Sequence, residues 1–137
     1  MIVADTSAML ALLNRDDQHH EAILRWYDED DQDWILPWAI LPEIDYLLGT
    51  RAGRPAQQAF IDDLASNSYF VDWGGGDDLP RVLQLTQRYK SLGLGLVDAV
   101  VMATAERLRA DAIATLDVRH FGAVKLMVDA LLIPRDG

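Results

Sequence analysis

The chain has 137 residues, of which 50% are hydrophobic and 25% are charged, and it contains no cysteine. This length predicts one compact domain over residues 1–137, and the apolar content excludes a disordered chain. The lack of cysteine excludes disulfides and thiolate metal ligands. No apolar run approaches the roughly 20 residues that cross a bilayer, and the N-terminus lacks the basic segment of a signal peptide, so we expect a cytoplasmic protein.

The formal net charge of −10 argues against a protein that binds nucleic acid mainly through its own positive charge. From Arg15 to Asp33, eight acidic residues stand against two arginines. Four further carboxylates, described below, account for the rest of the excess. The remaining acidic residues are balanced by basic residues that all lie after position 50.

Short β-like apolar runs alternate with helical patterns, which predicts an α/β fold with a mostly parallel sheet of four to five strands. A strand at 1–4 comes first and leads into a helix that Thr6 or Ser7 can cap. A helix at about 17–30 and a strand at 34–36 follow. The rest of the chain predicts helices at about 39–48, 55–65, 77–92 and 97–109, and strands at 69–71, 112–115 and 131–133.

Four carboxylates stand in apolar surroundings: Asp5, Glu43, Asp98 and Asp117. Asp5 and Asp117 each follow an apolar strand directly, and ligands bind at the carboxyl ends of strands in open α/β sheets. Because an unpaired buried charge costs several kcal/mol, a cluster of these acids requires a cation. Ligands that are all oxygens suit a hard ion such as Mg²⁺ or Mn²⁺.

Each of these acids, taken alone, also fits a structural role. An acid at a strand-to-helix junction is often a helix cap, and Asp98 at the start of a helix gains from the helix dipole. Ordinary salt bridges to Arg88, Arg107 or Arg119 would equally neutralise them. The sequence leaves these alternatives open for any single residue.

Four segments occur in the order found in PIN-domain ribonucleases, and the chain resembles the VapC-type toxins of bacterial toxin–antitoxin pairs. The segments are VADTSA at 3–8, PEI at 42–44, VDAVVMATA at 97–105 and ATLD at 114–117. The resemblance covers nearly the whole chain. It implies a three-layer α/β/α PIN-like fold whose acids meet at the carboxyl edge of the sheet to hold Mg²⁺ or Mn²⁺.

The resemblance also implies the function and the role of each site residue. It implies a metal-dependent endoribonuclease that acts as a toxin, with Asp5, Glu43 and Asp98 as core acids. Asp117 is the fourth acid, which can act through water. Three hydroxyl residues can donate hydrogen bonds to an acid or to the substrate phosphate, namely Thr6, Ser7 and Thr115.

The partners implied by the resemblance are an RNA substrate, a cognate antitoxin that places a basic side chain at the acids, and a second copy in a homodimer. DNA is expected only indirectly, through the antitoxin, and no membrane is expected. Candidates for gripping the RNA backbone are Arg51, Arg54, Arg88, Lys90 and Arg119.

Other residues suggest weaker interpretations. His120 can contact RNA, whereas His19 and His20 are expected on the surface. Trp38 can stack on a base, although the aromatic group that it forms with Trp26, Tyr27 and Trp34 fits a core or an interface better.

Two other classes of protein compete with the nuclease interpretation. One is a PIN-fold interaction module without catalysis, which the presence of all four acids disfavours. The other is a receiver-like or phosphoryl-transfer domain. Asp5-Thr6-Ser7 lacks the second aspartate that an aspartyl-phosphate phosphatase needs, and no phosphate-binding glycine motif is present.

Overall fold

The computed structural model describes residues 1–137, which form five strands and seven α-helices. The strands are β1 (Ile2–Ala4), β2 (Trp34–Pro37), β3 (Phe70–Asp72), β4 (Ala112–Ala114) and β5 (Leu131–Ile133). The helices are α1 (Thr6–Leu13), α2 (His20–Glu29), α3 (Ile40–Arg51), α4 (Arg54–Ala65), α5 (Asp78–Arg88), α6 (Leu96–Leu108) and α7 (Val118–Ala123), with a 3₁₀ turn at Lys90–Leu92. None of the helices combines the length and the apolar character needed to cross a membrane.

All neighbouring strands are parallel, in the order β3-β2-β1-β4-β5, and the helices flank the sheet in a three-layer α/β/α arrangement. The chain runs outward from β1 to β3 and then returns to β4 on the other side of β1. Because the strand order reverses between β1 and β4, the carboxyl ends of these two strands border a crevice. Asp5 directly follows β1, and Asp117 follows β4 by three residues.

The core is built around the central strands and α6. Every residue of β1 and β4 is buried, and α6 is buried continuously from Ala99 to Glu106. Residues that are apolar on all sides of a helix are typical of one packed within the core. The exposed N-terminus of α6 therefore lies at the edge of a rigid body, and it carries Asp98 in its first turn.

The structure confirms the predicted α/β class and the parallel sheet, but it corrects several local predictions. Asp5, rather than Thr6 or Ser7, caps α1, because Asp5 is extended (φ −97°, ψ 177°) and accepts a hydrogen bond from the Ala8 N–H. The helix predicted at 77–92 ends at Arg88, and the following 3₁₀ turn closes at Gly93 with φ +67°. The helix predicted from residue 17 begins at His20.

Candidate metal centre at the carboxyl edge of the sheet

Asp5 is held from three directions at the junction of β1 and α1. Its side chain is buried, with 3% of the residue exposed. Its Oδ1 accepts hydrogen bonds from the Ser7 hydroxyl (2.7 Å) and the Ala8 N–H (2.9 Å), and its Oδ2 accepts one from the Thr115 hydroxyl. The orientation of this carboxylate is therefore fixed by the fold.

The hydroxyls of Ser7 and Thr115 also tie the ends of β1 and β4 together. The Ser7 Oγ accepts a hydrogen bond from the Leu116 N–H (2.9 Å), and the Thr115 Oγ1 accepts one from the Asp117 N–H (2.9 Å). Thr6, the third predicted donor, bonds to none of the acids, and its buried Oγ1 has no hydrogen-bond partner. Ser7 and Thr115 thus position Asp5, whereas Thr6 does not.

Glu43 and Asp98 occupy the first turns of α3 and α6, respectively. Neither carboxylate forms an ion pair with a basic side chain. A helix N-terminus favours a nearby negative charge, since its free N–H groups and its dipole are positive there. These two acids are therefore only partly compensated, and both lack the fixed hydrogen bonds that hold Asp5.

Asp117 caps α7 and is clamped by His120. The His120 N–H donates to Asp117 Oδ1 (3.1 Å), and the ring Nδ1 lies 2.7 Å from Oδ2. The other ring nitrogen, Nε2, lies 3.0 Å from the Leu92 carbonyl oxygen. Both ring nitrogens face oxygen acceptors, and these two hydrogen bonds raise the pKa of His120. The surroundings of His120 therefore favour its protonated form.

Asp98 lies within the electrostatic influence of the other acids. Burial raises the pKa of Asp98, the charges of Asp117 and Glu43 raise it further, and His120 opposes the shift. Burial raises the pKa of Asp5 to about 6, against the hydrogen bonds from Thr115, Ala8 and Ser7 and with a further contribution from Asp98. Asp98, Asp117 and His120 offer ligand atoms within 4.8 Å of one another.

The donor set fits a divalent cation. The salt bridges that would have neutralised the acids are not formed: Arg107 pairs with Asp72 and Asp78, while Arg88 and Arg119 pair with none of the four. Apart from His120, all side-chain donors that could bind an ion are carboxylate oxygens, the ligands that Mg²⁺ and Mn²⁺ prefer. Repulsion among these acids is relieved most directly by a bound cation.

The role of His120 as a clamp was not predicted from the sequence. Its position three residues after Asp117, at the start of a helix, was the signal that could have suggested contact with that carboxylate. The second contact, to Leu92, joins residues that are 28 apart in the chain, and no sequence pattern marks it.

The amino-acid sequence is similar to a known protein family and to a ribonuclease. A family model described as the PIN domain matches residues 2–125. Ribonuclease VapC26 of Mycobacterium tuberculosis is 29% identical over 124 residues, which cover 90% of this chain and 92% of that protein.

Two solved structures share the fold. The first is M. tuberculosis VapC20, described as a toxin that cleaves the sarcin–ricin loop, with a TM-score of 0.81, 22% identity, and coverage of 93% of this chain and 98% of that one. The second is Rickettsia felis VapBC2 bound to a DNA fragment from its promoter, with a TM-score of 0.70, 15% identity, and coverage of 96% and 97%. These likenesses establish the fold.

Proposed function

The chain belongs to the PIN-domain family, and from this membership we propose that it is a Mg²⁺- or Mn²⁺-dependent endoribonuclease, the toxin of a cytoplasmic toxin–antitoxin pair. The observation that carries the proposal is the grouping of ligand atoms of Asp98, Asp117 and His120 within 4.8 Å of one another. The charges of Glu43 and Asp5 lie near this group, and no arginine or lysine pairs with any of the four acids. The named activity of the VapC26 relative supports the same reaction.

The proposed metal ligands are Asp5, Glu43 and Asp98, and Asp117 acts through a water molecule. When bound, a divalent cation supplies positive charge to the scissile phosphate and activates the attacking water. Asp5 contributes a fixed oxygen, since its orientation is set by Ser7, Ala8 and Thr115.

The remaining acids of the site have different proposed roles, which follow from their hydrogen bonds. Glu43 and Asp98 have no fixed hydrogen bonds and can adjust to the substrate. Asp117 has both oxygens engaged by His120, so a water that it binds is held in one orientation. The Thr6 hydroxyl is buried and has no hydrogen-bond partner, so we assign it no contact with the substrate.

RNA binding by an acidic protein requires local positive charge. The five basic candidates are all exposed: Arg51, Arg54, Arg88, Lys90 and Arg119. We propose that some of these side chains contact the RNA backbone.

The proposed protein partners are a cognate antitoxin and a second copy of the chain. The structural neighbour from R. felis is a VapBC complex bound to promoter DNA. By analogy, we propose that an antitoxin covers the acids of this chain and that DNA is contacted through the antitoxin.

Cleavage of RNA by the purified protein tests the proposal. We expect cleavage with Mn²⁺ that is abolished by a chelator, restored by added Mn²⁺, and reduced at least about 100-fold in Asp98→Asn. Asp129→Asn removes an exposed acid outside the site and serves as the matched control. Equal cleavage by wild type and Asp98→Asn would refute the proposal, and a complete lack of cleavage would favour the interaction module.

A further inference from the structure

The sheet has two edge strands, β3 and β5. On β5, the N–H and C=O of Leu132 are hydrogen-bonded to Asp136, whereas Val71 of β3 has no such partner. Strand β3 is the last strand on its side of the sheet. The Trp38 N–H donates to the Asp72 carbonyl (2.9 Å), so the backbone of Asp72 faces β2. Because backbone groups alternate along a strand, the N–H and C=O of Val71 point to the open side, where an added strand can pair with them.

Apolar side chains line this open edge and remain exposed to solvent. Phe70 is 60% exposed and Trp73 is 76% exposed. Between them and Leu41 and Leu64 lies a cavity of about 450 Å³, which we call the apolar groove. An exposed tryptophan and phenylalanine beside an unpaired strand edge are typical of a surface that binds another chain.

A second cavity, of about 210 Å³, continues the apolar groove at the amino ends of β2 and β3. The two cavities share Tyr69 and Phe70, and Tyr27 and Trp34 also line the second one. Trp34 is 4% exposed, and its Nε1–H has no hydrogen-bond partner. An unpaired buried donor destabilises the free protein, and Trp34 contributes to the lining of the second cavity.

The second cavity is bordered by uncompensated negative charge. The C-terminal end of α2 and the turn that leads to β2, which we call the acidic turn, carry five acids in six positions: Asp28, Glu29, Asp30, Asp31 and Asp33. None of these acids forms an ion pair. Asp33 lines the cavity itself, and the charges of Asp28 and Asp63 act on the Tyr27 side chain. Acids next to aromatic rings favour a cationic ligand.

We propose that an extended, basic segment of a protein partner binds along β3. Its apolar side chains occupy the apolar groove, its backbone pairs with Val71, and an arginine or lysine enters the second cavity among Tyr27, Tyr69 and Asp33. Charge complementarity selects this occupant, because RNA and a second copy of this chain would both bring negative charge to the acidic turn. The inference does not depend on the nuclease proposal, since none of the four carboxylates of the metal centre lines either cavity.

Binding of a short synthetic peptide tests the proposal. The probe alternates threonine with valine and carries two arginines at one end; in the control peptide, neutral citrullines replace the arginines. We expect the arginine peptide to shift the indole N–H signals of Trp34 and Trp73 in ¹⁵N-resolved spectra and to bind at least about tenfold more tightly than the citrulline peptide.

Variants of the full chain distinguish binding at this surface from nonspecific electrostatic attraction to the acidic protein. We expect Asp31→Asn with Asp33→Asn to weaken binding about tenfold, and the exposed Trp73→Ser, which leaves the core intact, to weaken it to a similar degree. Asp77→Asn with Asp129→Asn makes the same charge change elsewhere and should leave the affinity within about twofold. An equal loss in this control pair, or unchanged binding in Trp73→Ser, would overturn the proposal.

Two further outcomes identify a different occupant. If an oligouridylate shifts the same indole signals, the occupant of this surface is RNA and not a protein segment. If these signals shift with protein concentration in the absence of peptide, the occupant is a second copy of this chain. Either result contradicts the proposal.

Discussion

Acidic side chains are concentrated at both ends of α6, but only those near its C-terminal end are paired with arginines. The open cluster, at its N-terminal end, comprises Asp5, Glu43, Asp98 and Asp117. The paired cluster, near its C-terminal end, comprises Asp72, Asp78, Arg81, Glu106 and Arg107. In the paired cluster, the Arg81 Nε and Nη2 donate to the two oxygens of Glu106 (2.7 and 2.9 Å), and Arg107 bonds to Asp72 and Asp78.

The pKa of Glu106 in the paired cluster shifts in the opposite direction to the pKa values of Asp5 and Asp98 in the open cluster. Burial acts to raise the pKa of Glu106, but hydrogen bonds from Arg81 and the Met127 N–H, with the charge of Arg81, lower it overall. In the open cluster, burial and neighbouring acids raise the pKa of Asp5 and Asp98. Acids whose own fold supplies the counter-charge are structural, whereas acids left at an opening without one are candidates for binding a cation.

The largest expected effect separates activity from stability in the open cluster. Asp5→Asn should lower cleavage at least about 100-fold, because a metal-binding oxygen is lost. The fold should be retained, since asparagine is as good a helix cap as aspartate and no longer adds charge. Cleavage and thermal unfolding without metal are the measurements. A melting temperature at neutral pH that falls in parallel with activity would contradict this prediction.

The paired cluster should respond in the opposite way. Arg107→Met leaves Asp78, which is 6% exposed, and Asp72 without their counter-charge, and we expect the free energy of unfolding to fall by about 3–4 kcal/mol. Arg109→Ala, in which an exposed arginine without an ion pair is removed, should cost less than about 0.5 kcal/mol. Urea unfolding measures both values. Cleavage per folded molecule should stay unchanged, and a selective loss of activity would contradict the structural role of Arg107.

The raised pKa of Asp5 predicts a pH dependence of stability. Its ordinary value of 3.8 becomes about 6 in the folded protein, so folding favours the protonated form. The resulting stabilisation is complete below about pH 4 and is lost as the pH rises through about 6, a change of about 2–3 kcal/mol. The difference in unfolding free energy between Asp5→Asn and wild type isolates this contribution and should grow with pH.

Added Mn²⁺ should reverse the loss of stability that the wild type shows at neutral pH. At neutral pH with a chelator, wild type should be less stable than Asp5→Asn, and Mn²⁺ should raise the stability of wild type more than that of the variant. A difference between the two proteins that does not vary between about pH 4 and pH 7 would show that Asp5 titrates normally.

Local context was sufficient to predict part of the molecule. Asp5 and Asp117 each follow a strand, and Ser7 and Thr115 stand beside them, so the edge of the sheet could be assigned from the sequence. The partners of Arg107 could not be assigned from the sequence, because they lie 29 positions away on α5 and 35 positions away on β3. The direction of the Thr6 hydroxyl and the contact of His120 with Leu92 likewise depend on tertiary packing.

His120 provides the smallest predicted effect and distinguishes positioning from direct participation. His120→Ala removes the bonds that orient Asp117 and join α7 to Leu92, and we expect the affinity for Mn²⁺ to fall about tenfold in calorimetry. His120→Gln, which can replace one of these hydrogen bonds, should recover part of the affinity. Arg119→Ala alters the exposed neighbour and should bind Mn²⁺ as wild type does. Wild-type affinity in His120→Ala would show that the open cluster holds its cation without the clamp, through Asp5, Glu43 and Asp98 alone.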